Sequence, residues 1–227
     1  MAEVITQAIV VNIEQSNTSI NDSFVDFLTP NSSFRLLAKG INKASSKNRV
    51  NLQVGCIVEI EYFKARKKGA IGRLKKASLL EGIDFSNRLN LIFVAKAIKF
   101  IEQIKTKTFS VFNAYTQIIK RLGEGINKKL LLFLYTSGLA SYGIKPVVEQ
   151  CCECGQAYNL CDFAFHKGGF LCFAHSQNVR WNKELKSIYF MFKDLTKFIM
   201  MCNDAIAEIL MQELLQHYHD NGIYVEQ

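Results

Sequence analysis

The chain has 227 residues, 49% of them hydrophobic, with two prolines, seven cysteines and a formal net charge of +8. That apolar content can build one large or two small domains and excludes a disordered or collagen-like chain. An odd cysteine count in a chain of this length argues against a disulfide framework and predicts a reducing compartment. Glu3 precedes any apolar run, so no signal peptide is expected, and the longest uninterrupted apolar stretch, Leu130 to Tyr135, is far too short to cross a bilayer. The expectation is a soluble, cytoplasmic protein with no membrane segment.

From Val4 to Leu80 the pattern has the period of strands. Ile5, Ile9, Val11 and Ile13 share one parity, Phe24 to Leu28 is a short β-rich run, and Phe34, Leu36 and Ala38 alternate with Arg35, Leu37 and Lys39. The clearest alternation runs from Val54 to Phe63, with Val54, Cys56, Val58, Ile60 and Tyr62 on one face and Glu59 and Glu61 on the other. A turn from Lys64 to Gly69 leads to a last strand at about Ala70 to Leu79. Five short strands joined by turn residues predict a small closed barrel over residues 1–82, with the OB-fold the most economical choice and an SH3-like barrel fitting nearly as well.

The positive charge is concentrated in this segment. Between Arg35 and Lys76 twelve basic residues (Arg35, Lys39, Lys43, Lys47, Arg49, Lys64, Arg66, Lys67, Lys68, Arg73, Lys75 and Lys76) face two acidic ones, Glu59 and Glu61. The excess exceeds the net charge of the whole chain, so the remainder is near neutral or slightly acidic. Such a face neutralises phosphates without reading sequence, which points to nucleic acid, although a charge run can equally be a solvated surface. Phe34, Tyr62 and Phe63 are candidate base platforms, with at least two of the three expected in the core.

Past Ile83 the period lengthens to 3.6, which predicts a helical domain over 83–227. Leu91, Val94, Ala95, Ile98 and Ile101 form one stripe, and Phe112, Tyr115, Ile119 and Leu122 a second. Leu130 to Leu139 gives a third helix, after a break at Gly123-Glu124-Gly125. Inserted at about 146–180 is a pair of cysteine knuckles. Cys151 and Cys154 flank two residues, seventeen residues intervene, and Cys172 and His175 flank two more. A two-residue gap lets both side chains of a turn reach one ion, and the long gap lets a second turn complete a tetrahedron, so one structural zinc is expected. Gly155 and Gly168-Gly169 supply turn residues, and His166 is a rival fourth ligand to His175. Chance clustering of buried thiols is the alternative. Cys152 and Cys161 are read as spare thiols, and Cys56 and Cys202 as small buried hydrophobes.

One amphipathic helix is expected through Leu185, Ile188, Phe192, Leu195 and Ile199, and a last one from Ile206, Ile209 and Leu210. His217 and His219 would face apart on that helix and are read as an incidental polar end. No phosphate-binding glycine loop, zinc-protease helix motif or deaminase signature is present, so no enzymatic activity is expected.

The order of parts, together with Leu37-Ala38-Lys39-Gly40, the Leu52 to Tyr62 strand, and Gly143-Ile144-Lys145-Pro146 leading into the knuckles and Phe163, resembles the bacterial RecO family of recombination mediators and DNA repair proteins over essentially the whole chain. His175 departs from the family's usual final cysteine, and the acidic turn expected after the first strand is replaced by Gln15-Ser16-Asn17-Thr18. The resemblance implies an OB-fold, a helical domain and a zinc module. It also implies binding to single- and double-stranded DNA, strand annealing, and help in loading recombinase onto DNA coated with single-strand-binding protein, in the nucleoid. RecR and the acidic tail of single-strand-binding protein are the implied partners, and Lys120, Arg121, Lys128 and Lys129 are candidate tail-binding residues. A zinc-stabilised RNA-binding or ribosome-associated protein is the alternative.

Overall fold

The computed structural model describes residues 3–67 and 69–225, which form two compact units, Met1–Leu122 and Gly123–Gln227. In the first, β1 (Glu3–Gln15), β2 (Ser23–Leu28), β3 (Ser33–Ala38), β4 (Ile57–Phe63) and β5 (Gly72–Glu81) close into a barrel in the order β1-β2-β3-β5-β4. Neighbouring strands are antiparallel except β3 and β5, which meet in parallel at Leu36–Gly72 and Leu37–Arg73. This is an OB-like closed sheet.

The alternation read in the fourth strand holds: Val58, Ile60 and Tyr62 are buried while Glu59 is exposed. In β1 the parity is different from that expected. Ile5 is 61% exposed, and Ile9 and Val11 are buried but outside the barrel core, which is built from Val4, Ala8 and Val10, followed by Ile13. The inward face then changes parity at an irregularity between Val10 and Asn12, where Val10 opposes Phe27 and Asn12 opposes Asp26, leaving Val11 as an extra residue, so that Ile13 follows Val10 into the core. One inserted residue reverses which face every later side chain takes. The strand is long because it serves two partners, pairing with β4 from Glu3 to Ile9 and with β2 from Ile9 to Gln15.

Two helices complete this unit, α1 (Arg88–Gln103) and α2 (Phe109–Ile118). The Asn87 side chain caps α1 by accepting from the Leu89 N–H. The buried face of α1 includes Phe93, Ala97 and Phe100 as well as the expected Val94, Ile98 and Ile101, whereas Leu91 lies exposed. Fully buried Tyr115 of α2 donates its hydroxyl to the Gly55 carbonyl at 2.7 Å, fixing the chain just ahead of β4. Gly55 has φ of +91°, and a Cβ there would lie 2.8 Å from Val94.

The second unit is organised on α3 (Asn127–Tyr142), buried all round from Leu130 to Thr136, as the unbroken apolar run anticipates. A hairpin of β6 (Leu160–Ala164) and β7 (Gly169–Cys172) follows. Phe163 is its hub, with the rings of Phe165, Phe170 and Phe192 at 4.9, 5.1 and 6.2 Å. The single helix expected from Leu185 to Ile199 is two, α4 (Asn182–Met191) and α5 (Leu195–Met201). Asp194 separates them because its carboxylate accepts from the Lys197 N–H and starts a new helix. Asn203 likewise caps α6 (Asp204–Asp220), where Leu210, Leu214 and Tyr218 are buried and Ile209 is exposed. The Tyr218 hydroxyl donates to the Tyr135 carbonyl at 2.6 Å, joining α6 to α3. Among the described residues no helix is long and apolar enough to cross a membrane.

Candidate metal centre and basic barrel face

The hairpin brings the two knuckles together. Residues ahead of the first knuckle run beside β7: Val147 donates to Gly168 and accepts from Phe170, and the Cys152 N–H donates to the Phe170 carbonyl at 2.8 Å. This places Cys151 next to Cys172. Gly169 makes the approach possible, since a Cβ there would stand 2.1 Å from the Val147 oxygen. The first turn closes by the Gly155 N–H donating to Cys151, with Gly155 at φ of +76°, and the second by His175 and Ser176 donating to the Cys172 carbonyl.

The ligand atoms of Cys151, Cys154, Cys172 and His175 all lie within 4.8 Å of one another. Cys154 and Cys172 have their sulfurs 3.8 Å apart, and His175 Nδ1 stands 3.2 Å from the Cys172 sulfur and 3.7 Å from that of Cys151. A tetrahedral site with metal–sulfur bonds of about 2.3 Å has sulfur–sulfur edges of about 3.8 Å, so three thiols and an imidazole in this arrangement fit such an ion. The surroundings ease deprotonation of two of the thiols. At Cys151 burial opposes ionisation but is outweighed by backbone groups of Cys172, Cys154 and Glu153, which bring the pKa to about 6. The His175 imidazole lowers that of Cys172, and the Cys172 thiolate in turn raises that of His175. His166 is exposed in the hairpin turn and outside the cluster, as are Cys152, bonded to the Lys167 carbonyl, and buried Cys161.

The predicted basic residues of the barrel fall into two sets. Arg35 is engaged, with Nε and Nη2 each 2.7 Å from Asp26 and Nη1 3.0 Å from Glu14. The Arg35 guanidinium accordingly holds the Asp26 carboxyl below its usual range. Lys75 pairs with Glu3 and Glu61, and Lys76 with Glu61 at 3.9 Å. Lys39, Lys43, Lys47, Arg49, Lys64, Arg66, Lys67 and Arg73 are exposed and make no salt bridge among the described residues, while Lys68 lies outside those residues.

Six of the unengaged cations, Lys47, Arg49, Lys64, Arg66, Lys67 and Arg73, gather at the two ends of β5. Beyond Arg73, β3 leaves the edge of β5, and the connection between β3 and β4 takes its place. Asn48 donates to the Lys75 carbonyl and accepts from the Ala77 N–H, and Asn51 donates to the Ala77 carbonyl at 2.9 Å. Lys47 and Arg49 flank Asn48, so the basic loop is clamped to the barrel by two asparagines and does not hang free. At the other end of β5, Arg73 lies opposite Phe63, next to the turn carrying Lys64, Arg66 and Lys67. Phe34 packs into the core with its ring 5.0 Å from that of buried Tyr62, which leaves Phe63, half-buried, as the platform candidate not packed into that core.

Of the candidate tail-binding residues, Lys120 and Arg121 belong to the first unit and Lys128 and Lys129 to the second. Lys120 pairs with Glu81 at 3.6 Å, Lys128 with Glu208, and Lys129 with Asp204 at 3.1 Å. His217 is not an incidental polar end: its Nε2 lies 3.1 Å from the Ile144 carbonyl and its ring stacks on Phe165. Sequence reading also misses Arg180, which reaches Asp162, Glu184 and Glu213 on three different elements at 3.1, 2.5 and 2.8 Å.

Residues 1–83 match the family described as Recombination protein O N terminal. A DNA repair protein RecO from Mesoplasma florum is 26% identical, with the match covering 99% of this chain and 88% of that protein. RecO proteins from Bacillus pumilus and Bacillus cereus are 22% and 24% identical, covering 72% and 84% of this chain and 70% and 81% of their own. A solved asparaginyl-tRNA synthetase from Entamoeba histolytica aligns with 74% of this chain and 39% of its own at 10% identity and a TM-score of 0.31, too loose a match to carry an argument.

Proposed function

Because the chain belongs to the RecO family of DNA repair and recombination proteins, we propose that it binds single- and double-stranded DNA through the basic face of its barrel, anneals complementary strands, and helps load recombinase onto DNA coated with single-strand-binding protein. The observation that carries this reading is the row of exposed, unengaged cations along β5: Lys47 and Arg49 on a clamped loop, and Lys64, Arg66, Lys67 and Arg73 at the strand's other end. Lys39 and Lys43 precede Lys47 in sequence, Lys68 follows Lys67 in sequence, and Arg35, Lys75 and Lys76 contribute to the field while held by carboxylates. Annealing makes and breaks no covalent bond. It requires only that two like-charged strands be screened from each other long enough to pair, which a cationic face supplies.

Cys151, Cys154, Cys172 and His175 would hold one zinc, a structural ion because four protein ligands leave no position for a reacting water. RecR and the tail of single-strand-binding protein are the partners this family suggests. Docking of that tail at Lys120, Arg121, Lys128 and Lys129 draws less support, since Lys128 and Lys129 are already paired with carboxylates of α6.

The test is binding of an oligonucleotide at several salt concentrations by wild type and by a variant with Lys64, Arg66 and Lys67 changed to Glu. Affinity should fall for all sequences alike, and the salt dependence should flatten by about one unit of slope for each phosphate that is no longer neutralised. Unchanged affinity and slope would remove the barrel face as the binding site. The same variant should lose annealing of complementary strands precoated with single-strand-binding protein.

A further inference from the structure

The knuckles that gather the metal ligands also hold aromatic rings out in solvent. Phe173, between the ligands Cys172 and His175, is 62% exposed, Tyr158 is 69% exposed, and Trp181 is 81% exposed. Folding ordinarily hides such rings, and here the backbone beneath two of them is fixed. The Phe173 N–H donates to the Asn159 carbonyl at 3.3 Å, and the Gln156 side chain donates to the Tyr158 carbonyl at 2.9 Å. Tyr158 and Phe173 therefore stand on adjacent chains at one end of the hairpin. Beside Phe173 opens a concavity of about 540 Å³ whose lining includes Lys167, Gln177 and Asn178. The lining holds exposed Lys167 and no carboxylate, and nearby Asp162 is buried and bonded to Ser176 and Arg180, so an anion can enter there.

The geometry points to a second nucleic-acid site on the metal module, in which unpaired bases stack on Phe173 and Tyr158, Lys167 meets the backbone phosphate, and the amides of Gln177 and Asn178 meet base edges. Wet aromatic rings offer their faces to any base, and amides can both donate and accept. In a duplex the base faces are covered by their neighbours, so this site selects single strands. It rests on the nucleic-acid reading above and adds to it: charge on the barrel binds either form of DNA, and the module senses whether the bases are free.

The full-length, metal-loaded protein is titrated with a labelled oligo-dT and with a duplex of the same length. Three variants accompany wild type: Phe173→Ala with Tyr158→Ala, Phe173→Tyr, and the barrel charge reversal. Metal content is measured on each to show that the module is intact. The double alanine variant should lose at least about fivefold in affinity for oligo-dT while its duplex affinity is unchanged, and Phe173→Tyr should bind as wild type does. Emission of Trp181, the only tryptophan, should report occupancy in wild type. A double variant that keeps its metal and binds oligo-dT as tightly as wild type overturns the inference and leaves the rings to a protein partner. Equal losses for single strand and duplex overturn it too. If the barrel reversal weakens binding while the double alanine does not, the barrel reading stands alone; a wild type that binds neither DNA removes both.

Discussion

Arg180 joins the segment after the second knuckle to the helices of its unit, and removing its charge should be among the costliest single changes there. Its side chain is 18% exposed, against 6% for Asp162, 20% for Glu184 and 32% for Glu213. Burial disfavours its charge, but the Glu213 and Glu184 carboxylates more than compensate and raise its pKa, so it stays ionised. In Arg180→Met the two outer carboxylates regain some water, but Asp162 keeps only the hydroxyl of Ser176 and the Phe163 N–H. Breaking a buried pair from one side costs about 3–5 kcal/mol. The partial exposure of Glu184 and Glu213 places the expected loss at the lower end, about 3 kcal/mol. Urea unfolding followed by circular dichroism and Trp181 emission reads it as a drop in midpoint at constant slope. Adding Asp162→Asn should recover part of the loss, because the stranded charge is then gone. A loss below about 1 kcal/mol, or no recovery in the double variant, would refute the view that Asp162 depends on Arg180.

The purified protein should carry one zinc per chain, and Cys154→Ser should lower metal retention in the presence of a chelator while leaving barrel-mediated DNA binding in place; metal analysis and an oligonucleotide titration decide the two. Tyr115→Phe should destabilise the first unit by about 1–2 kcal/mol, read by thermal unfolding, because the Gly55 carbonyl loses the partner it has inside the fold.

How much of this was legible depended on how local each signal is. The fourth strand was readable because its faces differ over consecutive residues, Val58, Ile60 and Tyr62 against Glu59 and Glu61. The metal ligands were readable because a chelating turn imposes a fixed gap, and the structure does bring Cys151, Cys154, Cys172 and His175 together. The first strand misled because apolar residues lie on both of its faces, with Ile9 and Val11 buried opposite Ala8 and Val10, and because the extra residue at Val11 changes the inward parity without leaving a mark in composition. The helix expected across Phe192 misled because its apolar spacing continues through Asp194, whose capping role depends on which amide it reaches. Asn48, Asn51 and Arg180 were invisible for a different reason. Their partners lie from a few to over thirty residues away in sequence, and nothing local distinguishes an asparagine that clamps a strand from one that merely faces water.

That asparagine clamp bears on how the protein avoids sticking to itself. Where β3 departs, the backbone of β5 from Lys75 to Ala77 would be an open sheet edge, a template onto which another chain could add a strand. Asn48 and Asn51 occupy its donors and acceptors with side-chain amides, and the loop that brings them is studded with Lys43, Lys47 and Arg49. One segment thus seals the sheet and repels a second copy of itself. Were a polyanion drawn to those same cations, it would meet a sheet edge whose backbone groups are already occupied.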